Sequence, residues 1–229
     1  MITPRLEMIL RHINGNSCAD IGTDHAYIPI ELAKRGMRVI ASDIMPGPLS
    51  IAAENVKKNE VDVELRLGGG LSPIEKGEVD TVIIAGMGGE MIEKILIADV
   101  EKTKGVTFIL QPMNRQAELR KYLINAGFYI IDEDLAVEGF KVYNLIVATK
   151  DESKSAEAIS YNSEAELHLP VVLRENPCFD SLFNKKKREF SKILSGLKMS
   201  KDANIEEVNK IEQLLLYIEG IGGEKNEDK

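Results

Sequence analysis

The stretch at residues 17–32, SCADIGTDHAYIPIEL, decides the fold class. A short apolar segment ends near Asp20, and Gly22 separates it from a segment with helical apolar spacing. A dinucleotide-binding turn would read G-x-G-x-x-G here, so that the backbone can approach a pyrophosphate. Asp24 and Tyr27 stand where the second and third of those glycines belong. Because a carboxylate repels a pyrophosphate, the turn excludes an NAD-dependent dehydrogenase. An ordinary strand-to-helix turn capped by Asp24 remains the alternative.

Up to about residue 150, β-rich segments alternate with helical ones. Strands are predicted at residues 18–21, 38–43, 63–68, 81–86, 107–112, 129–137 and 141–149. Helices are predicted at residues 26–35, 48–59, 89–98 and 115–126. This alternation indicates a largely parallel α/β sheet. The connection between the last two strands is too short for a parallel crossover, so that pair is predicted to be antiparallel. A mostly parallel sheet with an antiparallel last strand is typical of Rossmann-like class I methyltransferases.

The turn after the first strand suits a cofactor with a positive end and no phosphate. S-adenosyl-L-methionine (SAM) carries a sulfonium, an amino group, a carboxylate and a ribose. Asp20 is placed to hold its amino group, directly or through water. Asp43 ends the second predicted strand, about 20 residues further on, where an acid accepts hydrogen bonds from ribose hydroxyls. The alternative for Asp43 is a cap on the helix that follows.

Two glycine-rich segments follow the third and fourth predicted strands. Residues 68–70, GGG, either lie along the adenine ring of the cofactor or form a flexible turn. Residues 85–89, AGMGG, end an apolar strand at the position that faces both the sulfonium and the methyl acceptor. Methyltransferases acting on an exocyclic amine usually carry Asn/Asp-Pro-Pro-aromatic at this point. This chain has neither the acid nor the prolines, which disfavours an exocyclic amine.

Composition sets broader limits. The 229 residues are 44% hydrophobic, enough for a sizeable core, and no apolar run approaches the roughly 18 residues of a membrane span. The start of the chain reads as an amphipathic helix rather than a signal peptide. Cys18 and Cys178 lack metal-ligand spacing and are expected to be reduced thiols of a cytoplasmic protein, with no metal site. The net charge is −8, yet residues 174–201 hold eight basic and three acidic residues. That stretch alone could meet a polyanion.

The C-terminal part differs from the rest. Residues 151–165 are small and polar and are predicted to be a linker. Two helical stripes follow and predict an antiparallel coiled-coil hairpin, with Asp202 or Asn204 capping its second helix. The stripes comprise Phe179, Leu182, Phe183, Phe190, Ile193, Leu194 and Leu197, then Ile205, Val208, Ile211, Leu215 and Ile218. The sequence thus predicts a catalytic domain at residues 1–150 and a linker with a hairpin at residues 151–229.

These motifs together resemble a known family. ADIGTDHAYIPI, IAGMGG, LQPM, the pair Arg5-Leu6 and the strand KVYNLIV are similar to the bacterial tRNA (adenine-22-N1)-methyltransferases, over essentially the whole chain. The resemblance implies a SAM-dependent enzyme that methylates N1 of an adenine in the D-arm region of tRNA. Two positions depart from the family pattern. Gly69 stands where an acid would bind the adenine amino group, which predicts weaker cofactor binding or binding through backbone alone. Tyr143-Asn144 stands where Tyr-Glu is common.

The motifs and the resemblance together define three groups of site residues. The predicted cofactor-binding residues are Asp20, Gly22, Thr23, Asp24, His25, Asp43, Ile44, Gly69, Gly86 and Met87. The predicted catalytic residues, around the target base, are Asp24, Gly86, Met87, Gln111 and Tyr143, with His25 and Asn114 as further candidates. The predicted RNA-binding residues are Arg5, Lys185, Lys186, Lys187, Arg188 and Lys192. For the basic run, a merely solvated helix face is the alternative. Gln111 and Tyr143 could instead serve the core.

Two other functions stay open on the sequence. One is a SAM-dependent methyltransferase with a different RNA base or a small molecule as acceptor. The other is a non-catalytic RNA-binding module that has lost cofactor affinity, which only Gly69 supports. The expected partner is tRNA, and a monomer is expected.

Overall fold

The computed structural model describes residues 2–200 and 204–227. The chain divides into two compact units, Met1–Ile159 and Ser160–Lys229. The helices of the first unit are α1 (Pro4–Arg11), α2 (Tyr27–Lys34), α3 (Pro46–Lys58), α4 (Gly89–Ala98) and α5 (Gln116–Asn125). Its strands are β1 (Ser17–Ile21), β2 (Arg38–Asp43), β3 (Glu64–Leu67), β4 (Thr81–Met87), β5 (Thr107–Pro112), β6 (Tyr129–Glu138) and β7 (Lys141–Thr149). The second unit holds α6 (Glu164–His168), α7 (Phe179–Met199) and α8 (Ile205–Glu227).

The seven strands form one sheet in the order β3-β2-β1-β4-β5-β7-β6. β1 to β5 pair in parallel, whereas β7 pairs antiparallel with both β5 and β6. The prediction of a parallel sheet with an antiparallel end is therefore confirmed. The strand order reverses between β1 and β4, and in open α/β sheets ligands bind at the carboxyl ends of the strands at this point. The turn after Asp20 lies there.

A large cluster of buried apolar residues supports this edge of the sheet. Side chains of α1 and α2, including Met8, Ile9 and Leu32, pack on the sheet residues Ile83 and Ile109, and all five are fully buried. Full burial of side chains of this size stabilises a fold by roughly 1.5–3 kcal/mol each. α1 precedes the first strand in sequence, yet its side chains belong to the core of the sheet domain.

A buried ion pair links α5 to the last two strands. Arg120 on α5 is completely buried and donates from Nε to Glu133 on β6 at 2.9 Å. Its Nη2 also donates to Oδ1 of Asn144 on β7 at 3.2 Å. The departure at Asn144 thus lies in a structural network, where a neutral amide gives Arg120 an additional acceptor without burying a second charge.

The segment after β7 differs from the prediction of a linker at residues 151–165. Glu152–Glu157 form a short 3₁₀ helix whose Asp151 cap accepts a hydrogen bond from the Ser153 amide at 3.0 Å. The Ile159 amide then donates to the Ile130 carbonyl on β6 at 2.7 Å. Because its backbone is bonded to the sheet, the segment belongs to the first unit, and the unit boundary falls after Ile159.

The second unit contains the predicted helical hairpin. Its buried stripes are Phe179, Leu182 and Phe190 on α7, and Ile211, Leu214, Ile218 and Ile221 on α8. Ion pairs between Lys187 and Glu219 at 3.3 Å and between Lys198 and Glu212 at 2.7 Å run along the two helices in antiparallel order.

Part of the predicted stripe pattern is wrong. Ile193 and Ile205 are exposed, and Leu214 is buried where Leu215 was expected. The reason is that the contact surface between two packed helices is narrower than the apolar stripe on each helix, so residues at the margin of the stripe stay exposed. Asn204 caps α8 by accepting a hydrogen bond from the Glu206 amide at 2.9 Å, while Asp202 lies outside the described residues.

Candidate active site

The turn after β1 is held tightly to β2. The amides of Gly22 and Thr23 both donate to the Ser42 carbonyl, at 2.8 Å and 2.9 Å. Gly22 has a φ of +79°, a conformation that is strained for any residue with a Cβ. A Cβ at Gly22 would lie 2.2 Å from Cε of Met87. The backbone conformation therefore favours glycine here, and any larger residue would also displace the end of the Met87 side chain.

A cavity of about 340 Å³ opens at this turn. Its lining comes from α1, the turn after β1, the start of α2 and the end of β4. The lining residues are Arg5, Leu6, Asp20, Gly22, Thr23, Asp24, His25, Ala26, Tyr27, Ile28, Ala85 and Gly86. The structure thus brings together six of the predicted cofactor residues, namely Asp20, Gly22, Thr23, Asp24, His25 and Gly86.

Asp20 is the buried charge of this cavity. Its relative exposure is 7%, and burial raises the pKa of its carboxyl to about 6. The hydrogen bond with the Thr23 side chain and the charge of Arg5 act in the opposite direction, whereas Asp43 adds to the rise. A carboxylate in such surroundings favours a cationic ligand group, because the ligand's charge offsets the cost of desolvation.

The mouth of the cavity is polar on one side and aromatic on the other. Nε2 of His25 lies 3.3 Å from Oδ2 of Asp24, and both side chains are substantially exposed. The rings of His25 and Tyr27 stack with centroids 5.4 Å apart. The Asn55 side chain holds the loop, because its Nδ2 donates to the His25 carbonyl at 3.0 Å. α2 begins only at Tyr27, because Ala26 takes a left-handed conformation with φ of 56°.

Asp43 and its neighbours form a second part of the site, at the end of β2. Oδ1 of Asp43 accepts the backbone amide of Met45 at 2.7 Å, but Met45 itself is the N-cap residue of α3 and no side chain caps this helix, so the predicted alternative of a capping role is not met. Ile44 and Met45 are exposed there, together with Leu67 at the end of β3. A Cβ at Gly69 would lie 3.1 Å from Cδ1 of Ile44. Where the family pattern has an acid, this chain therefore presents an apolar surface suited to the face of a flat ring.

The end of β4 is shaped by contacts with β5. The pairing shifts between Ala85 and Met87, and Gly86 at the shift has φ of +81°. The Met113 amide donates to the Met87 carbonyl at 2.8 Å. Asn114, a candidate for holding the base, is instead bonded to this segment, because its Oδ1 and its carbonyl accept from the Gly89 amide at 3.3 Å and 3.2 Å.

Arg5 connects the predicted catalytic residues. Its Nη1 donates to Oε1 of Gln111 at 3.0 Å, and its guanidinium lies 5.6 Å from the centre of the Tyr143 ring. A Cβ on Gly86 would lie 3.3 Å from the same Nη1. The Arg5 amide donates to Oε1 of Glu138 at 2.7 Å, which fixes the start of α1. Arg5, assigned from the sequence to RNA binding, therefore lines the cavity, and no local spacing could have shown this.

Gln111 and Tyr143 are both buried. The Gln111 side-chain nitrogen donates to the Pro112 carbonyl at 3.2 Å while its oxygen accepts from Arg5, so the amide is already bonded at both ends. Tyr143 belongs to the apolar core cluster and presents its ring to Arg5. Neither residue lines the cavity; both contact Arg5, which does, and Gln111 fulfils the alternative role of satisfying neighbouring groups.

The basic run on α7 is less free than its sequence indicates. Lys186 pairs with Glu189 at 3.2 Å and lies 5.7 Å from the Phe190 ring, with its side chain only 11% exposed. Lys187 pairs with Glu219. Burial and the charge of Lys186 lower the pKa of Lys185. Arg188 and Lys192, the other two members of the predicted group, are exposed.

Two kinds of feature are absent from the described residues. Within residues 2–200 and 204–227, no group of three or more His, Cys, Asp or Glu side chains is placed to hold a metal ion. In the same residues, no helix has the length and apolar character needed to cross a membrane.

The strand order, the antiparallel last strands and a glycine turn with acids in place of a phosphate cradle define a Rossmann-like methyltransferase fold. A family model described as a methyltransferase domain matches residues 2–146. The tRNA (adenine(22)-N(1))-methyltransferase of Bacillus subtilis is 37% identical over 161 residues, which cover 68% of this chain and 68% of the relative. The chain belongs to the family of tRNA (adenine(22)-N(1))-methyltransferases.

Solved structures agree over nearly the full length. The B. subtilis m1A22 tRNA methyltransferase is 28% identical, with a TM-score of 0.83 over 96% of this chain and 98% of the other. The Streptococcus pneumoniae protein Sp1610, solved with S-adenosyl-L-methionine, is 30% identical with a TM-score of 0.76, covering 96% and 99%. M. capricolum TrmK, solved with S-adenosyl-homocysteine, is 27% identical with a TM-score of 0.82 and the same coverage.

Proposed function

We propose that this protein methylates N1 of adenine 22 in the D-arm region of tRNA and uses SAM as the methyl donor. The observation that carries the proposal is the cavity between β1 and β4, where buried Asp20 and the positive-φ turn at Gly22 replace a phosphate cradle. The family relationship supplies the substrate. The cavity supplies the reason why the cofactor is a sulfonium compound rather than a dinucleotide.

The residues present fit this cofactor. Asp20 offers a buried carboxylate to its amino group, and Gly22 leaves the backbone bare where a Cβ would intrude. Asp43 has one oxygen on the Met45 amide and keeps the other for the ribose hydroxyls. The apolar surface around Ile44 suits the adenine ring. When bound, SAM supplies an electrophilic methyl group on its sulfonium.

The acceptor needs no strong base. N1 of adenine carries a lone pair at neutral pH, so the protein's task is to hold the ring in line with the methyl group at about 3–3.5 Å. The base must leave its stack to present its Watson–Crick edge, which costs a few kcal/mol. Gly86 and Met87 at the end of β4, with Asp24 and Tyr143, are the residues we assign to this task. None of them has to remove a proton.

The electrostatics tolerate the charge that forms on the ring. Methylation at N1 makes the adenine cationic, and a neighbouring guanidinium would oppose that change. The Arg5 charge is countered by the Glu138 carboxylate, whose pKa is lowered, against the effect of burial, by hydrogen bonds from Thr3 and the Arg5 amide and by the Arg5 charge. Asp20 interacts with Arg5 as well. We therefore assign Arg5 the role of fixing Gln111 and Tyr143 rather than of contacting the reacting atoms.

Arg188 and Lys192 on α7 are proposed to contact tRNA phosphates, since they are the exposed members of the basic group. Lys185 is half-buried and would contribute less, and Lys186 and Lys187 are engaged by acids of the hairpin. We further propose that the protein acts in the cytoplasm, where its tRNA substrate is found, and as a monomer. Size-exclusion chromatography with light scattering tests the last point.

The test measures binding and transfer separately. SAM binding is followed by calorimetry, and transfer by incorporation of labelled methyl groups into unmodified bulk tRNA. We expect both in the wild type, and neither in Asp20→Ala. SAM binding without label in tRNA would refute tRNA adenine 22 as the methyl acceptor and would favour another RNA base or a small molecule. Absence of SAM binding would favour the non-catalytic RNA-binding module.

A further inference from the structure

An aromatic side chain stands at the tip of the hairpin between β6 and β7. β6 ends at Glu138, β7 begins at Lys141, and these two residues pair, so Gly139 and Phe140 form a two-residue turn. Gly139 has φ of +58°, the conformation for which tight hairpin turns select glycine. The Phe140 ring is fully exposed, at 104% relative accessibility. Nothing in the turn chemistry calls for an aromatic residue at this position.

Single exposed apolar side chains are common on protein surfaces, so exposure alone does not mark Phe140 as a binding residue; its position does. Leu110 of β5 pairs with Ile146 of β7, and the two strands are antiparallel. Residues that precede Ile146 therefore run toward and past the carboxyl end of β5. Tyr143 lies at this edge beside Arg5. Phe140 lies three residues beyond it, roughly 10 Å along the strand direction. The turn thus extends beyond the carboxyl end of β5, at the same edge of the sheet as the cavity.

The charges around the turn suit nucleic acid. Lys141 directly follows Phe140 and is exposed. The nearby acid, Glu138, accepts hydrogen bonds from the Arg5 amide and the Thr3 side chain and interacts electrostatically with both Arg5 and Lys141, yet the Lys141 side chain stays exposed to solvent. An exposed aromatic ring next to an exposed cation is the combination that binds unpaired nucleotides, by stacking on a base and by attracting its phosphate.

We propose that Phe140 stacks on an unpaired tRNA base next to the adenine held at Gly86 and Tyr143, and that Lys141 contacts the adjoining phosphate. This inference rests on the proposed function, since it presumes a target base at the cavity. Stacking on the neighbouring base compensates part of the cost of taking the target adenine out of its stack. Phe140 is a positioning residue and does not touch the reacting atoms.

Phe140→Ala tests the proposal through steady-state kinetics. Loss of one base–aromatic stack lowers kcat/KM for tRNA by about 5- to 150-fold, mainly through KM, and leaves SAM affinity unchanged. Ile97→Ala is the matched control, because Ile97 is an exposed apolar residue on α4. Equal tRNA KM in wild type and Phe140→Ala would overturn the proposal, as would a change of oligomeric state in this variant with unaltered tRNA binding.

A second variant reports binding without catalysis. The chain contains no tryptophan, so Phe140→Trp introduces a single fluorophore at the turn. It should retain tRNA KM, and its fluorescence should be quenched when unmodified tRNA is added. Fluorescence that does not respond to bound tRNA would overturn the proposal. Quenching of Phe140→Trp by tRNA without any methylation would support the stacking contact and refute the proposed function. Normal methylation by Phe140→Ala would agree with the proposed function and refute the stacking contact.

Discussion

Gly22→Ala tests whether the turn after β1 is built for a cofactor. Gly36→Ala is its matched control, since Gly36 has nearly the same φ, +82° against +79°, but nothing within 4 Å of an added Cβ. At Gly22 the added Cβ would lie 2.2 Å from the Met87 methyl group. The two variants share the conformational strain and differ only in what the new methyl group meets.

The magnitudes separate stability from binding. A left-handed φ costs roughly 1–2 kcal/mol for a residue with a Cβ, so both variants should lose that much free energy of unfolding. The end of the Met87 side chain is flexible and can turn away, at an extra cost of about 0.5–1.5 kcal/mol in Gly22→Ala. SAM affinity should be unchanged in Gly36→Ala. In Gly22→Ala it should fall by about 5- to 150-fold, since overpacking costs roughly 1–3 kcal/mol.

Urea unfolding and calorimetric titration with SAM give the two quantities on the same samples. Equal SAM affinities for the two variants would refute the reasoning, because the cavity beside Gly22 would then not be the cofactor site. A third variant, Gly22→Ala with Met87→Ala, removes the clash. Its free energy of unfolding should therefore no longer lie below that of Gly36→Ala by the cost of the clash. Its affinity for SAM should stay as low as that of Gly22→Ala.

Three further predictions concern charge. SAM affinity should be constant above about pH 7, be about halved near pH 6 and fall by up to about tenfold per pH unit below about pH 5, because the Asp20 carboxyl with its pKa of about 6 becomes neutral over this range. Titrations at constant salt measure this. Arg120→Met should lower the free energy of unfolding by about 3–5 kcal/mol, since it leaves the Glu133 carboxylate buried without its partner. Arg188→Gln and Lys192→Gln should each lower the slope of log affinity for tRNA against log salt by about 1.

Each of these has a contrary outcome. A SAM affinity independent of pH between 5 and 7 would show that the Asp20 carboxylate does not face the cofactor's cationic group. If the double variant Arg120→Met/Glu133→Leu were as unstable as Arg120→Met alone, an uncompensated charge would not be the cause. For the salt slope, Lys187→Gln is the control, because Lys187 is paired with Glu219. An equal effect of all three substitutions would argue against specific phosphate contacts.

The fold followed from the sequence because its signals are local. The alternation of β-rich and helical segments predicts every strand of the sheet. The short connection between β6 and β7 predicts that these two strands are antiparallel. Helix boundaries shifted where single residues decide the backbone. α2 begins one residue late because Ala26 is left-handed, and α3 begins at Pro46, two residues before the expected start, since proline is tolerated in the first turn.

The site was only partly readable from sequence. Asp20, Gly22 and Asp43 follow from spacing relative to strand ends, which the chain itself encodes. The role of Arg5 depends on contacts with Gln111 and Tyr143, which are more than 100 residues away, and no local pattern reports such a contact. The ion pair between Lys186 and Glu189 is local, three residues apart on α7, but a run of like charges does not show which of its members faces an acid.

The measurement that tests the central claim most directly maps the methyl group in a defined substrate. A tRNA transcript with adenine at position 22 is incubated with the protein and SAM, beside the same transcript with guanine at that position. N1-methyladenine blocks reverse transcription. A new stop at position 22 is expected in the first transcript and none in the second. Equal labelling of both transcripts, or a stop at another nucleotide, would contradict it.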